Sequence, residues 1–219
     1  MSFSVTKRVS DVATDVKRTF GDEASVQVTD SDIIRWVNQA QIEIVSKNQI
    51  LTAVATIVGG SVANQYAYSL AGLNIQAIKS IHYRGVKIDY LTFQESEEYI
   101  TKDDPQHAAT AAMPSFWYQW ANELSFYPTP NASGDEIKIY YYALPTTVAA
   151  VTDFLSLPDN YYSRIVEYCM SQAYEMDENF DAASSKTNRF ENNLLGMLED
   201  EDRTQQLTYS TITVRPEDL

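Results

Sequence analysis

A single cysteine, Cys169, in 219 residues leaves no partner for an internal disulfide and too few thiols for a zinc or iron–sulfur site. Basic residues are scarce: 16 Lys and Arg face 30 Asp and Glu, for a net charge of −14. Gripping a nucleic-acid backbone or an anionic membrane needs clustered cations, so this balance argues against both. Seven glycines and seven prolines are too few for a collagen-like or low-complexity chain. Long apolar runs are missing too. The first 20 residues mix Lys7, Arg8, Asp11, Asp15, Lys17 and Arg18 with isolated valines, which is no signal-peptide h-region. Residues 48–78 carry no charge at all, yet their apolar part, 50–58, stops at Gly59-Gly60. A helical membrane span needs about 20 residues, so the stretch reads as strands. HExxH, GxSxG, P-loop and GxGxxG signatures are absent as well.

What is present begins with helical periodicity. Val5, Val9, Val12, Val16 and Phe20 form one stripe, and Gly21 stands where a C-cap belongs. Thr29 with Asp32 offers a capping box for a second helix buried through Ile33, Trp36, Val37, Ala40 and Ile44. Between residues 52 and 145 the period drops to two. Strands are expected at 52–58, 65–70, 75–83, 86–91, 116–120, 123–127 and 136–143. Gly59-Gly60, Arg84-Gly85 and Ala121-Asn122 are placed for hairpin turns. A short helix at 93–101, capped by Thr92 and Glu95, interrupts the strands, and 102–115 reads as a loop.

Helical pattern returns after Leu157-Pro158-Asp159. Tyr162, Ile165, Val166, Cys169, Ala173 and Met176 make one face, and Phe180, Ala183, Thr187, Phe190, Leu194, Met197 and Leu198 continue to about Asp202. The expected architecture is α+β: a mainly helical bundle of about four helices, an inserted antiparallel β-rich region, and an extended C-terminal arm. The corresponding segments are 1–51, 52–152, 153–202 and 203–219.

Candidate chemistry is sparse. His82 sits mid-strand and His107 in a loop, where packing or exposure accounts for each. The acidic run from Glu175 to Asp181 lacks the glycine and glutamate of a calcium loop, since Ala182 and Asn188 occupy those positions. It reads as a solvated turn, so no metal or cofactor is expected, and no enzymatic activity. Trp117 and Trp120 belong to an aromatic strand that could stack on sugars or bases; no basic residue lies between 105 and 121, and packing on both faces of the strand explains it better.

Charge and its absence are more informative. Residues 153–202 hold 12 acids and three bases, whereas 203–219 are neutral. Strands without guarding charges at a sheet edge invite a partner chain, which makes Val54, Ile57, Val58, Tyr66, Tyr68, Trp117 and Trp120 candidate subunit or tail contacts.

The ordered set Val5-Thr-Lys-Arg-Val9-Ser-Asp-Val12, Thr29-Asp-Ser-Asp-Ile33-Ile34-Arg-Trp36-Val37-Asn38, Met113-Pro114, Leu124-Ser-Phe126-Tyr127-Pro128-Thr-Pro130, Ile137-Lys-Ile-Tyr140 and Leu157-Pro158-Asp-Asn-Tyr161 resembles the head-to-tail adaptor proteins of tailed bacteriophages. The resemblance runs from Val5 to Leu198. It implies a structural virion protein of the neck, present in the host cytoplasm during assembly, that forms a ring of typically twelve copies beneath the portal. Its implied partners are the portal protein, tail nozzle or tube proteins, its own copies, and passing double-stranded DNA bound without sequence specificity. Some such adaptors carry a hydrolase domain, and nothing in this chain matches one. The resemblance makes 204–219 a portal-docking arm with contacts at Leu207, Tyr209, Ile212, Val214 and Leu219. A repulsive wall keeps DNA centred, so Glu175, Asp177, Glu178, Asp181, Glu199, Asp200, Glu201 and Asp202 are the candidate channel surface. The competing expectation is a carbohydrate- or receptor-binding β module of a phage tail, with both tryptophans exposed.

Overall fold

The computed structural model describes residues 4–103 and 111–208, with 99–103 and 198–208 as backbone alone. The chain divides into two compact units, Met1–Asn48 with Pro145–Leu219, and Gln49–Leu144. The described residues hold five α-helices and a seven-stranded sheet, so the α+β class holds.

The first unit contains α1 (Val9–Phe20), α2 (Asp30–Asn48), α4 (Tyr162–Met176) and α5 (Phe180–Thr208). The stripe of α1 starts at Val9, not Val5, because residues 4–8 are extended and half-exposed. Asp159 holds them so: its carboxylate accepts the Thr6 and Lys7 amides at 2.9 and 3.2 Å and the Thr6 hydroxyl at 2.7 Å. Gly21 ends α1 in the left-handed region at φ 88°, where a Cβ is strained. Asp22 then folds the next loop, accepting the amides of Val26, Gln27 and Val28 at 2.7–2.9 Å. Thr29 and Asp32 form the capping box of α2.

Helix α4 is the hub, packing against α1, α2 and α5, while α1 also meets α2. Val12, Val16, Ile33, Val37, Ile165, Cys169 and Ala173 are fully enclosed. Met170 joins them, although the stripe read from the sequence omits it. Met176 and Phe180, which that stripe includes, are instead 44% and 63% exposed, because each sits at a helix end where the face runs out. Backbone helix continues to Thr208, beyond the expected end at 202. The residues that follow the acidic run, Arg203, Gln205, Gln206 and Leu207, are good helix formers. The four acids therefore precede the helix terminus by more than a turn rather than opposing the macrodipole at it. The first part of the expected arm is accordingly helical, not extended.

The second unit contains β1 (Thr52–Thr56), β2 (Ala67–Ser69), β3 (Ile75–Tyr83), β4 (Val86–Tyr90), α3 (Phe93–Asp103), β5 (Phe116–Trp120), β6 (Glu123–Tyr127) and β7 (Ile137–Ala143). Their order in the sheet is β1-β7-β3-β4-β5-β6-β2. Inward residues from strands across the whole order, from Tyr68 and Leu70 to Ile137 and Ile139, share one core, so the sheet curls over it. Two corrections follow. Strand β4 pairs with β5 in parallel, because α3 provides the crossover a parallel pair requires, so the sheet is not wholly antiparallel. Gly59-Gly60 is no hairpin turn: β1 and β2 are opposite edges of the sheet, and the turn begins the passage between them. Arg84-Gly85 does join a hairpin, with φ 52° and 80°.

Two outcomes test this packing. Ile165→Ala leaves a cavity where α4 meets its neighbours and should cost about 2–5 kcal/mol in urea or thermal unfolding. The Asp22 carboxyl is held below its ordinary range chiefly by the Val28 amide, then by the Val26 amide; Asp159 is lowered by the Thr6 hydroxyl and amide. A lowered native pKa contributes stability above the unfolded value of about 3.9 and loses it as pH falls through the native one. Asp22→Asn and Asp159→Asn should therefore lower the melting temperature at neutral pH and converge on the parent as the solution is acidified below about pH 4.

Candidate interaction surface

Every strand of the sheet has two edges, and only the first and last in the order leave one unpaired. Those strands are β1 and β2, both from the uncharged stretch 48–78. Strand β1 pairs only with β7, Val54 opposite Tyr140, and Val54 is 56% exposed. Edge strands of monomers carry charges or proline that discourage pairing. This pair of edges carries neither.

The passage between the edges is a fixed platform. Ser61 is enclosed: its amide donates to the Asp135 carbonyl at 2.8 Å, its hydroxyl to the Ala132 carbonyl at 2.8 Å, and its carbonyl accepts the Gly134 amide at 2.8 Å. The Asn64 amide reaches the Pro130 carbonyl at 2.8 Å, and the Ala63 amide the Ser133 hydroxyl at 2.9 Å. The Tyr68 hydroxyl accepts from the Val62 amide at 3.0 Å and donates to the Gln65 carbonyl at 3.1 Å. Asp135 below takes the Tyr83 hydroxyl at 2.8 Å. Burial raises the pKa of both tyrosines, so each stays a neutral phenol that can donate. Gly60 (φ 69°) is required, since a Cβ there would stand 2.5 Å from the Asp135 carbonyl oxygen. On this tied loop Val58 is 99% exposed, with Tyr66 also on the surface. An apolar side chain held out on an ordered loop pays little entropy on docking.

The candidate residues thus separate. Val54, Val58, Tyr66 and Trp120 are at the surface; Ile57 packs partly against the core; Tyr68 and Trp117 are in it. Trp117 packs on Tyr90 with ring centroids 4.7 Å apart, which removes one platform of the carbohydrate-binding alternative. Trp120 stacks on Phe93 at 4.1 Å, a partner the sequence pattern did not reveal because Phe93 lies on α3.

The acidic residues lie elsewhere. Glu175, Asp177, Glu178 and Asp181 are all exposed at the α4–α5 turn. Glu199, Asp200, Glu201 and Asp202 are on α5, and their side chains lie outside the described residues. Leu207 is on the same helix, while Tyr209, Ile212, Val214, Leu219 and His107 lie outside the described residues. His82 packs its ring 4.8 Å from that of Tyr140. Among the described residues no group of three His, Cys, Asp or Glu could hold a metal, and no helix is long and apolar enough to cross a membrane. Cys169 is enclosed and burial raises its thiol pKa, which keeps it protonated and inert.

Comparison with known families identifies the chain. The family model described as SU10 adaptor protein matches residues 7–215. No curated protein matches. The chain belongs to the SU10 adaptor protein family, a family of structural phage adaptors, in accord with the head-to-tail adaptor resemblance of its sequence.

Gly60→Ala should destabilise the second unit by more than about 1 kcal/mol in thermal melts. Val58→Ser, on the same loop, should change stability by less than about 0.5 kcal/mol. A large loss for Val58→Ser would mean the valine serves the fold rather than a partner.

Proposed function

We propose that this member of the SU10 adaptor family joins the portal at the capsid vertex to the tail, as one copy in a ring of twelve through which the DNA passes. The family match over residues 7–215 carries this reading. The uncharged edges of β1 and β2 and the exposed Val58 support it, because a side-by-side ring needs margins that do not repel.

The acidic character of the helical unit suits a conduit. A duplex gripped by lysines binds through counterion release and resists movement. A wall of carboxylates holds phosphate away, so packaging and ejection proceed without adhesion. We assign this wall to the run of four acids at 199–202. Residues 209–219, with Tyr209, Ile212 and Val214 alternating between polar neighbours, serve as the arm that docks on the portal by adding extended backbone and apolar anchors. In this role the protein is a virion component with no catalytic step of its own.

Imaging the neck of assembled particles should find this chain between portal and tail, with the 209–219 segment on the portal. A chain truncated after Thr208 should melt as the parent does but fail to attach. Location anywhere else in the particle would overturn the reading, and attachment of the truncated chain would overturn the arm.

A further inference from the structure

On the outer face of the sheet α3 packs at β5, where Phe93 meets Tyr118 and Trp120; among the described residues no helix of the same unit lies over β1, β7, β3 and β4. Side chains alternate along each strand, so residues beside the buried Ile137 and Ile139 point away from the core. Tyr140 and Tyr142 lie on this outer face, opposite Val54 and Thr52 of β1. The Lys79 ammonium stands 5.8 Å from the centre of the Tyr142 ring. Lys87 is across from His82, whose ring packs on Tyr140. Lys79 and Lys87 are exposed, and among the described residues neither has a carboxylate within ion-pair distance, whereas Lys138 on the same face is bound to Glu136 at 3.0 Å. Over β1, β7, β3 and β4 the face thus has an apolar and aromatic centre with free positive charge at its margin; Asp89 on β4, two residues from Lys87, is also exposed there and in no ion pair among the described residues.

Its complement is on the same chain. The α4–α5 turn presents Met176 and Phe180, 44% and 63% exposed, among the carboxylates of Asp177, Glu178 and Asp181. The turn is ordered, not loose: the Asn179 amide donates to the Tyr174 carbonyl at 2.9 Å and the Ala183 amide to the Asn179 carbonyl at 3.0 Å. Two exposed apolar side chains ringed by acids meet the description of what the sheet face lacks.

We propose that the outer face of β1, β7, β3 and β4 receives the α4–α5 turn of a second copy of this chain, Met176 and Phe180 against Val54, Tyr140 and Tyr142, with Lys79 and Lys87 facing the acids. Copies of a chain with net charge −14 repel one another, so association is favoured where free cations of one copy meet clustered carboxylates of the next. The contact is head-to-tail, the kind that closes into rings. Two free lysines are too few to hold a duplex by counterion release, which favours a protein occupant over DNA. The inference rests on the ring reading and names the surfaces by which neighbours meet.

Full-length chain, half of it isotope-labelled, is concentrated and treated with a zero-length carbodiimide. Mass spectrometry should find amides between Lys79 or Lys87 of one copy and Asp177, Glu178 or Asp181 of another. Lys87→Glu and Glu178→Lys should each weaken self-association in sedimentation at least about tenfold, and the two changes in one chain should restore it. Absence of these intermolecular cross-links, or no restoration in the double variant, overturns the proposal, as does retention of DNA by the parent that Lys87→Glu abolishes. Neck rings that form normally from either single variant would overturn this contact while leaving the ring itself standing; necks without any ring would overturn both.

Discussion

The helical unit depends on a hydrogen-bonded seam between parts of the chain that lie far apart in sequence. Asn38 on α2 reads the backbone of Val148 in both directions, its amide donating to the carbonyl and its oxygen accepting the amide, each at 2.9 Å. One turn on, Gln41, enclosed, accepts the Ser156 amide at 2.6 Å. From the other side, residues 4–10 bind 151–159 through backbone contacts at Val9, Ser10, Leu155 and Asp159. A unit whose stretches are separated by an entire β domain faces a long loop closure before α4 can find α1 and α2. Directional bonds to the returning backbone fix where α4 starts. Losing either side chain would leave part-buried backbone groups without these partners, at about 1 kcal/mol for each lost bond.

That seam explains why some of the fold was legible in the sequence and some was not. Local signals worked where local chemistry decides. Thr29 with Asp32 and Thr92 with Glu95 both form their capping boxes, Gly21 caps α1, and all seven expected strands exist within a few residues of their expected bounds. The misses are tertiary. Val5 fits the stripe of α1 but is pulled into extended chain by Asp159, more than 150 positions away. Gly59-Gly60 has the composition of a hairpin turn, yet β1 and β2 pair with β7 and β6 and never with each other. The parallel pairing of β4 and β5 depends on how α3 crosses, which no period of two reveals.

The surface was half legible for the same reason. Absence of charge over 48–78 pointed to the sheet edges, and both edge strands fall within it, although 75–78 begin the interior strand β3. It could not separate Val58 from Ile57, or Trp120 from Trp117, because residues an odd number of positions apart point to opposite sides of a sheet. The tyrosine face of β7 was within reach of the pattern Ile137-Lys138-Ile139-Tyr140: two enclosed isoleucines set the inward parity, and everything between them points out.

Absence of charge and excess of charge play opposite parts in one design. An assembly of identical acidic subunits gains repulsion with each copy added, and that repulsion has to be localised where it is useful or harmless. Here the negative charge is gathered on the α4–α5 hairpin, in a unit separate from the sheet whose edges carry none. Val54 and Val58 contribute apolar area at those edges without attracting solvent or counterions, so their burial would proceed with little dependence on salt. Contacts through carboxylates would instead weaken as salt rises. Segregating the two kinds of surface lets a single fold combine salt-tolerant margins with an anionic region that keeps other polyanions at a distance.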